Sequence, residues 1–142
     1  MSTWFNPTSS SSSLTNLGVT TTSGTWTPVM SGTGGVYASQ TGTWAQTLNG
    51  SIRTVTVNAV FVVTTYPTSP AWTINSSNTI GPLPFTTIGT NQYVTACFDQ
   101  TGAAWMVMGK LSSSGTTFTP YVSTGSISNG DRWTVSFTYQ AV

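Results

Sequence analysis

The sequence predicts an all-β protein of the jelly-roll type, a two-sheet sandwich with a short extended N-terminal arm. Composition is the first observation behind this prediction. Thr and Ser supply 30 and 20 of the 142 residues; Thr is β-branched and favours strands, while Ser favours turns. The second observation is patterning. Short runs of alternating apolar and polar residues are separated by Gly, Pro and Asn-Gly turns, and no run keeps the 3.6-residue period of a helix.

About eight strands can be placed along the chain, and two of them have a clear buried face. The Asn49-Gly50 pair predicts a hairpin, and the strand after it has alternate apolar residues at Val55, Val57, Ala59, Phe61 and Val63. Near Val60 that strand becomes apolar on both faces, as expected where a strand is fully covered. The segment "DRWTVSFTYQAV" alternates most regularly, so we expect it to be integral to the sheet. Pro28 marks an edge position or a strand end.

Further strands are predicted in "AWTIN", "QYVTACFD", "AAWMVMGKL" and "TTFTPYV". Many short strands with this punctuation are typical of a sandwich or a jelly roll. The domain is expected to span residues 24–142, and residues 1–23 are expected to form the arm. In the arm, Trp4, Phe5 and Pro7 precede the serine run 9–13. Serine runs behave as flexible linkers, whereas Trp and Phe are residues that proteins bury. We therefore interpret Trp4 and Phe5 as attachment residues and Pro7 as a stiff exit; the alternative is a frayed tail.

Charge is scarce, and this excludes several classes of partner. Charged residues make up 4% of the chain, against about 25% in an average domain. With a net charge of +1 the chain lacks the basic footprint of a nucleic-acid binder and a polybasic membrane patch. No apolar stretch approaches the length that crosses a bilayer, and the N-terminus lacks the features of a secretory signal. We expect neither nucleic acid nor membrane as a partner.

Catalytic chemistry is equally hard to assemble. The chain has no His and no Glu, which excludes Ser-His-Asp and Cys-His arrangements and histidine-ligated metals. Asp99 and Asp131 are the only carboxylate pair available to a glycosidase, and both lie in turn-like sequence. We therefore predict no enzymatic activity, no metal and no cofactor. Cys97 is predicted to be a buried, inert thiol, and the sequons at Asn49 and Asn75 are interpreted as turns.

Self-association has more support than chemistry. Exposed aromatic side chains can stack on sugars, but packing in a core or between subunits is the favoured interpretation for Tyr66, Trp72, Tyr93 and Tyr121. The segment "AWMVM" is apolar on both faces, with Met106 and Met108 on one side and Val107 on the other. A two-layer sandwich buries one face of each sheet, so the other face needs a partner, and identical subunits are the usual one. Arg53 is placed near such a subunit junction.

Four segments in order carry a family resemblance: "SGTWTPVM" at 23–30, "YASQTGTW" at 37–44, "TIGPLPFTT" at 79–87 and "WTVSFTYQ" at 133–140. This order resembles the C-terminal jelly-roll modules of tailed-bacteriophage fibre, receptor-binding and decoration proteins, over about residues 23–142. The resemblance implies a trimeric β jelly roll on the outer surface of a virion, without enzymatic activity and without catalytic residues to carry over. Long fibres have a shaft ahead of the module, and here only about 23 residues precede it.

The resulting expectation is a non-enzymatic homotrimer that decorates a phage capsid, as a cement or head-fibre protein. Its N-terminal arm would attach it to the major capsid protein or to another virion protein. The alternative is a tail-fibre or receptor-binding tip that recognises glycan on the host cell surface.

Overall fold

The structure is a computed structural model, and it describes residues 18–31, 36–65, 79–100, 103–121 and 132–142. These residues form nine β-strands and no helix, which confirms the all-β prediction. The strands are β1 Val19–Trp26, β2 Val29–Ser31, β3 Val36–Asn49, β4 Ile52–Thr65, β5 Thr79–Gly81, β6 Gln92–Gln100, β7 Ala103–Leu111, β8 Phe118–Pro120 and β9 Arg132–Ala141.

All nine strands belong to one antiparallel sheet that curls on itself, in the order β1-β3-β4-β9-β6-β7-β8-β5-β2. The two outermost strands are consecutive in the chain. Only Thr27 and Pro28 separate β1, which pairs with β3, from β2, which pairs with β5. Because proline has no N–H for a ladder, the chain leaves β3 at this point, as the strand-end interpretation of Pro28 predicted.

The longest ladder is the β3–β4 hairpin predicted from Asn49-Gly50. Asn49 pairs with Ile52, and Gly50 has the positive φ of 61° that such a turn requires. The hairpin extends the sheet on one side of β9, which lies between β4 and β6.

The core follows the alternation expected from β4 and β9. Every second residue of each strand is buried, namely Val55, Val57, Ala59, Phe61 and Val63 on β4 and Trp133, Val135, Phe137, Tyr139 and Ala141 on β9. The other half of the sheet contributes Ile80, Val107, Leu111 and Phe118. The rings of Phe118 and Phe137 stack with centroids 4.6 Å apart, so the curl brings these two strands into contact across the core.

The segment 82–91 closes one end of the core. Thr87 is fully buried, and its hydroxyl donates to the Ser112 carbonyl at 2.6 Å and accepts from the Gly115 N–H at 2.9 Å. Its own N–H donates to the Gly115 carbonyl at 2.9 Å. Thr87 therefore joins this segment to the turn that follows β7.

Two sequence-based expectations have other outcomes. The strands form one curled sheet, and the two-sheet sandwich remains a prediction. The expected burial of Cys97 is wrong, because this side chain is exposed. The inward position on β6 belongs to Ala96, which is fully buried, and strand alternation turns the next residue outward.

Candidate functional site

The outer surface of the sheet has two regions of opposite chemistry. We call the outward side of β6, β7 and the residue after β8 the apolar face; it consists of Tyr93, Thr95, Cys97, Met106, Met108 and Tyr121. The hydroxyl face is a set of twelve uncharged outward positions on β1, β3, β4 and β9; the same side also carries Ile52, Val60 and Val62 on β4 and Arg132 on β9. The apolar face matches the two-sided pattern expected of "AWMVM".

The apolar face exposes large side chains that a strand would ordinarily bury. The exposed fractions are 61% for Tyr93, 70% for Met106, 60% for Met108 and 39% for Tyr121. Strand register brings them together, since Cys97 lies opposite Met106, and Thr95 lies opposite Met108. The Tyr121 N–H donates to the Met108 carbonyl at 2.9 Å, so the residue after β8 continues the ladder.

Two tyrosines form one border of the apolar face. The rings of Tyr93 and Tyr121 are stacked, with centroids 6.0 Å apart and planes 26° apart. Partial desolvation raises the pKa of the Tyr121 hydroxyl above its ordinary value, and the hydrogen bond and charge of Tyr93 raise it further. The Tyr121 phenol therefore keeps its proton at physiological pH.

The hydroxyl face is a regular array of short uncharged side chains. Its positions are Thr21, Ser23 and Thr25 on β1; Thr43, Ala45 and Thr47 on β3; Thr54, Thr56 and Asn58 on β4; and Ser136, Thr138 and Gln140 on β9. The hydroxyls of Thr56 and Thr138 share a hydrogen bond of 2.8 Å across the β4–β9 ladder. An open concavity of about 460 Å³ lies over this array beside Thr43 and Asn58. Four threonines and Asn58 line it together with Trp26, Gly42 and Val60, so the concavity combines hydroxyls with apolar surface.

Two indoles are directed toward the core side of the same strands. Trp26 and Trp44 are half-buried and pack against the core cluster. The Trp26 Nε1–H donates to the Asn58 carbonyl at 3.3 Å. Trp44 meets Phe85 edge to face, at 4.9 Å between centroids and 87° between planes. These indoles contribute packing within the chain.

Arg53 also points to the core side, at the end of the sheet. Its guanidinium lies 4.5 Å from the centroid of the Phe85 ring, an arrangement that favours a cation. The Tyr139 hydroxyl lies nearby and donates to the Phe85 carbonyl at 3.0 Å. Burial raises the pKa of Tyr139 to about 12, and the backbone hydrogen bond with Phe85 and the charge of Arg53 offset part of that rise. In the single chain Arg53 thus contacts an aromatic ring of its own fold; its placement near a subunit junction remains a prediction.

Several residues singled out from the sequence lie outside the described residues. These are Trp4, Phe5 and Pro7 of the expected arm, together with Tyr66, Trp72, Asn75 and Asp131. Residues 19–23, which were assigned to the arm, belong to β1. The backbone of Asp99 lies on β6 opposite Ala104 and Thr134. The expected carboxylate pair is therefore not placed.

Within the described ranges, no group of three His, Cys, Asp or Glu side chains is close enough to hold a metal ion. No helix in that part of the chain is long and apolar enough to cross a membrane. The chain matches no protein-family model, and comparisons with curated proteins and with solved structures find no significant match.

Proposed function

We propose that this chain is a non-enzymatic structural protein of a bacteriophage virion, a homotrimer displayed on the outer surface of the capsid as a decoration (cement) or head-fibre protein. The residues that precede β1 are the attachment arm, with Trp4 and Phe5 held by the major capsid protein or another virion protein. The observation that supports the proposal best is the exposed apolar face. A single chain leaves Met106 and Met108 more than half exposed, and such patches on soluble proteins usually mark interaction sites.

The rest of the surface suits permanent display. The twelve positions of the hydroxyl face carry no ionisable side chain, and Arg132 is a single cation beside them at the start of β9, so the hydration of this surface changes little with pH or salt. Hydroxyl-bearing strands also have little tendency to attract charged partners. A neutral exterior together with one apolar contact face is consistent with a subunit whose task is assembly.

The jelly-roll architecture is part of the proposal. The strands β1, β3, β4 and β9 would form one layer, and the strands β6, β7, β8, β5 and β2 the other. The Phe118–Phe137 stack at 4.6 Å spans the space between these groups. The chain switches groups at Thr27–Pro28, and strands that change layer by a bend are a known way to make the corner of a sandwich.

The second candidate is a tail-fibre or receptor-binding tip that recognises host glycan. The stacked, exposed pair Tyr93 and Tyr121 favours it, because tyrosine rings offer an apolar face and a polar edge to a sugar. In this case the same arm would fix the domain to the tail.

The test is attachment to particles that lack the protein. We expect a variant without residues 2–13 to fold and to associate like the full chain, and to stay in solution when particles are sedimented. The double variant Trp4→Ala/Phe5→Ala should behave like the deletion. The matched control Ser9→Ala/Ser10→Ala, which leaves the aromatic residues in place, should attach fully.

Full attachment of the deletion variant would disprove the role of the arm. A copy number per virion that matches the tail instead of the capsid area, together with saturable binding to host cells, would favour the receptor-binding candidate. Polysaccharide cleavage that disappears in Asp99→Asn would contradict a non-enzymatic function.

A further inference from the structure

We infer that the apolar face is the surface through which copies of this chain contact one another, with the same face of each copy directed toward the symmetry axis. The inference rests on the homo-oligomer of the proposed function and specifies its interface. It assigns the hydroxyl face to solvent and leaves the arm free for the virion.

The first argument is size. A fully exposed large side chain has an accessible area of about 200 Å². With that value, the exposed area is roughly 450 Å² for four residues together, Tyr93, Met106, Met108 and Tyr121. A stable interface buries about 800 Å² on each partner. These four side chains supply more than half of that area, and the neighbouring Thr95 and Cys97 are exposed as well.

The second argument is charge. Contact between identical faces places charges of the same sign next to one another, so a charged face would repel its own copy. The six residues that define the apolar face include no carboxylate and no cationic side chain. Lys110 is the next outward residue of β7 after Met108; it is half-buried and lies opposite Tyr93, and a long lysine stem can carry its charge to the rim of the contact.

The third argument is residue type. Tyr and Met are enriched at the centres of interfaces, where Ser and Lys are depleted. The outward residues at the centre of the β4–β9 ladder, such as Thr56 and Thr138, show the opposite chemistry. One sheet therefore presents both chemistries in the same strand geometry, and the apolar one suits contact with another copy.

Cys97 provides a native probe of this face. It is the single cysteine of the chain, it is exposed, and it lies opposite Met106. If the faces of different copies meet here, then assembly should cover the thiol. We expect a maleimide reagent to label Cys97 at least tenfold more slowly above the association concentration than below it.

The variant test uses Met106→Thr/Met108→Thr in the full-length protein. Thr suits an exposed strand position, so the fold should persist, which circular dichroism checks. Sedimentation equilibrium should show the dissociation constant of the oligomer rising roughly 30-fold or more, the effect of losing interface hot spots. Cys97 in this variant should react at the rate of the free monomer. The matched control Thr43→Ser/Thr138→Ser on the hydroxyl face should change neither measurement.

Three results would overturn the inference. One is an unchanged dissociation constant in the methionine variant, and another is rapid labelling of Cys97 in the intact oligomer; both leave the virion function standing. The third is a wild-type monomer whose Cys97 becomes protected only on particles or with added glycan, which assigns the face to another partner. Failure of the virion function itself appears separately, as a lack of attachment to particles.

Discussion

The indole of Trp26 lies against the backbone of Gly42, its direct partner across the β1–β3 ladder. The relationship is reciprocal two residues away, where the indole of Trp44 covers Gly24. Each indole thus occupies the place that the partner's side chain would take. This cross-strand exchange secures the outermost strand β1, which otherwise exposes mainly Thr and Ser.

We predict that Gly42→Ala destabilises the fold by about 1–3 kcal/mol, the usual range for overpacking. An alanine Cβ would overlap the Trp26 ring, with Cδ1 at 2.6 Å and Cε2 at 2.7 Å. The ring has little freedom to move because its Nε1–H is bound to the Asn58 carbonyl. Urea unfolding measures the loss. Gly89→Ala is the control, since no heavy atom lies within 4 Å of its new Cβ; equal stability of the two variants would refute the packing argument.

The buried hydroxyl of Thr87 gives a second prediction. Thr87→Val keeps the shape of the side chain and removes its hydrogen bonds with Ser112 and Gly115. The Gly115 N–H retains its bond to the Ser112 carbonyl at 3.0 Å, so we expect a moderate loss of about 1–2 kcal/mol. The urea midpoint should fall with an unchanged slope. The exposed Thr90→Val is the control, and a Thr87→Val midpoint at the wild-type value would contradict the prediction.

Alkaline stability should depend on Tyr139. Its pKa is about 12 in the folded chain and about 10 in an unfolded one. The folded state therefore binds the proton more tightly, and its stability is complete below pH 10 and falls as the pH rises toward 12. This residue accounts for at most about 2–3 kcal/mol of that fall. Denaturation from pH 9 to 12 should show a shallower decline in Tyr139→Phe than in the wild type. The control Thr138→Ser, which changes an exposed residue of the same strand that does not titrate, should retain the full decline.

Between about pH 4 and 9 we expect stability to be nearly constant. The chain has no His, no Glu and two Asp, so few groups can change protonation between the folded and unfolded states in this window. Calorimetry should find thermal midpoints within roughly 10 °C of one another across the range. A larger shift would point to a strongly perturbed carboxyl at Asp99 or Asp131.

Alternation made β4 and β9 predictable, because each buries one face and exposes the other. The same rule does not decide which face of β6 is buried, because small or apolar side chains occupy both faces, with Val94 and Ala96 on one and Tyr93 and Cys97 on the other. The frequent burial of free cysteine predicts an inward Cys97, whereas the register places Cys97 opposite Met106 on the outward side. Which face of such a strand is buried depends on the strands packed around it, and β9, one of its two partners, is distant in sequence.

The start of the domain was harder to locate for a related reason. Residues 20–23 are exposed Thr or Ser, and Val19 before them is half-buried, so no apolar period distinguishes this segment from a linker. They become a strand because β3 offers a ladder and because Trp44 covers Gly24. Likewise, the pairing of β2 with β5 depends on a turn away from β3 at Pro28. No local sequence pattern indicates that β2 pairs with β5.

The position of β9 has a consequence for biosynthesis. Of the nine strands it is the last to leave the ribosome, yet it lies between β4 and β6 and joins the two halves of the sheet. The hairpins β3–β4 and β6–β7 can form as they are made, because their contacts are local. Neither can bury its apolar side until Trp133 and the residues after it arrive. Folding of this sheet must therefore wait until β9 has been translated, and the nascent chain depends on its hydroxyl-rich composition to stay soluble in the meantime.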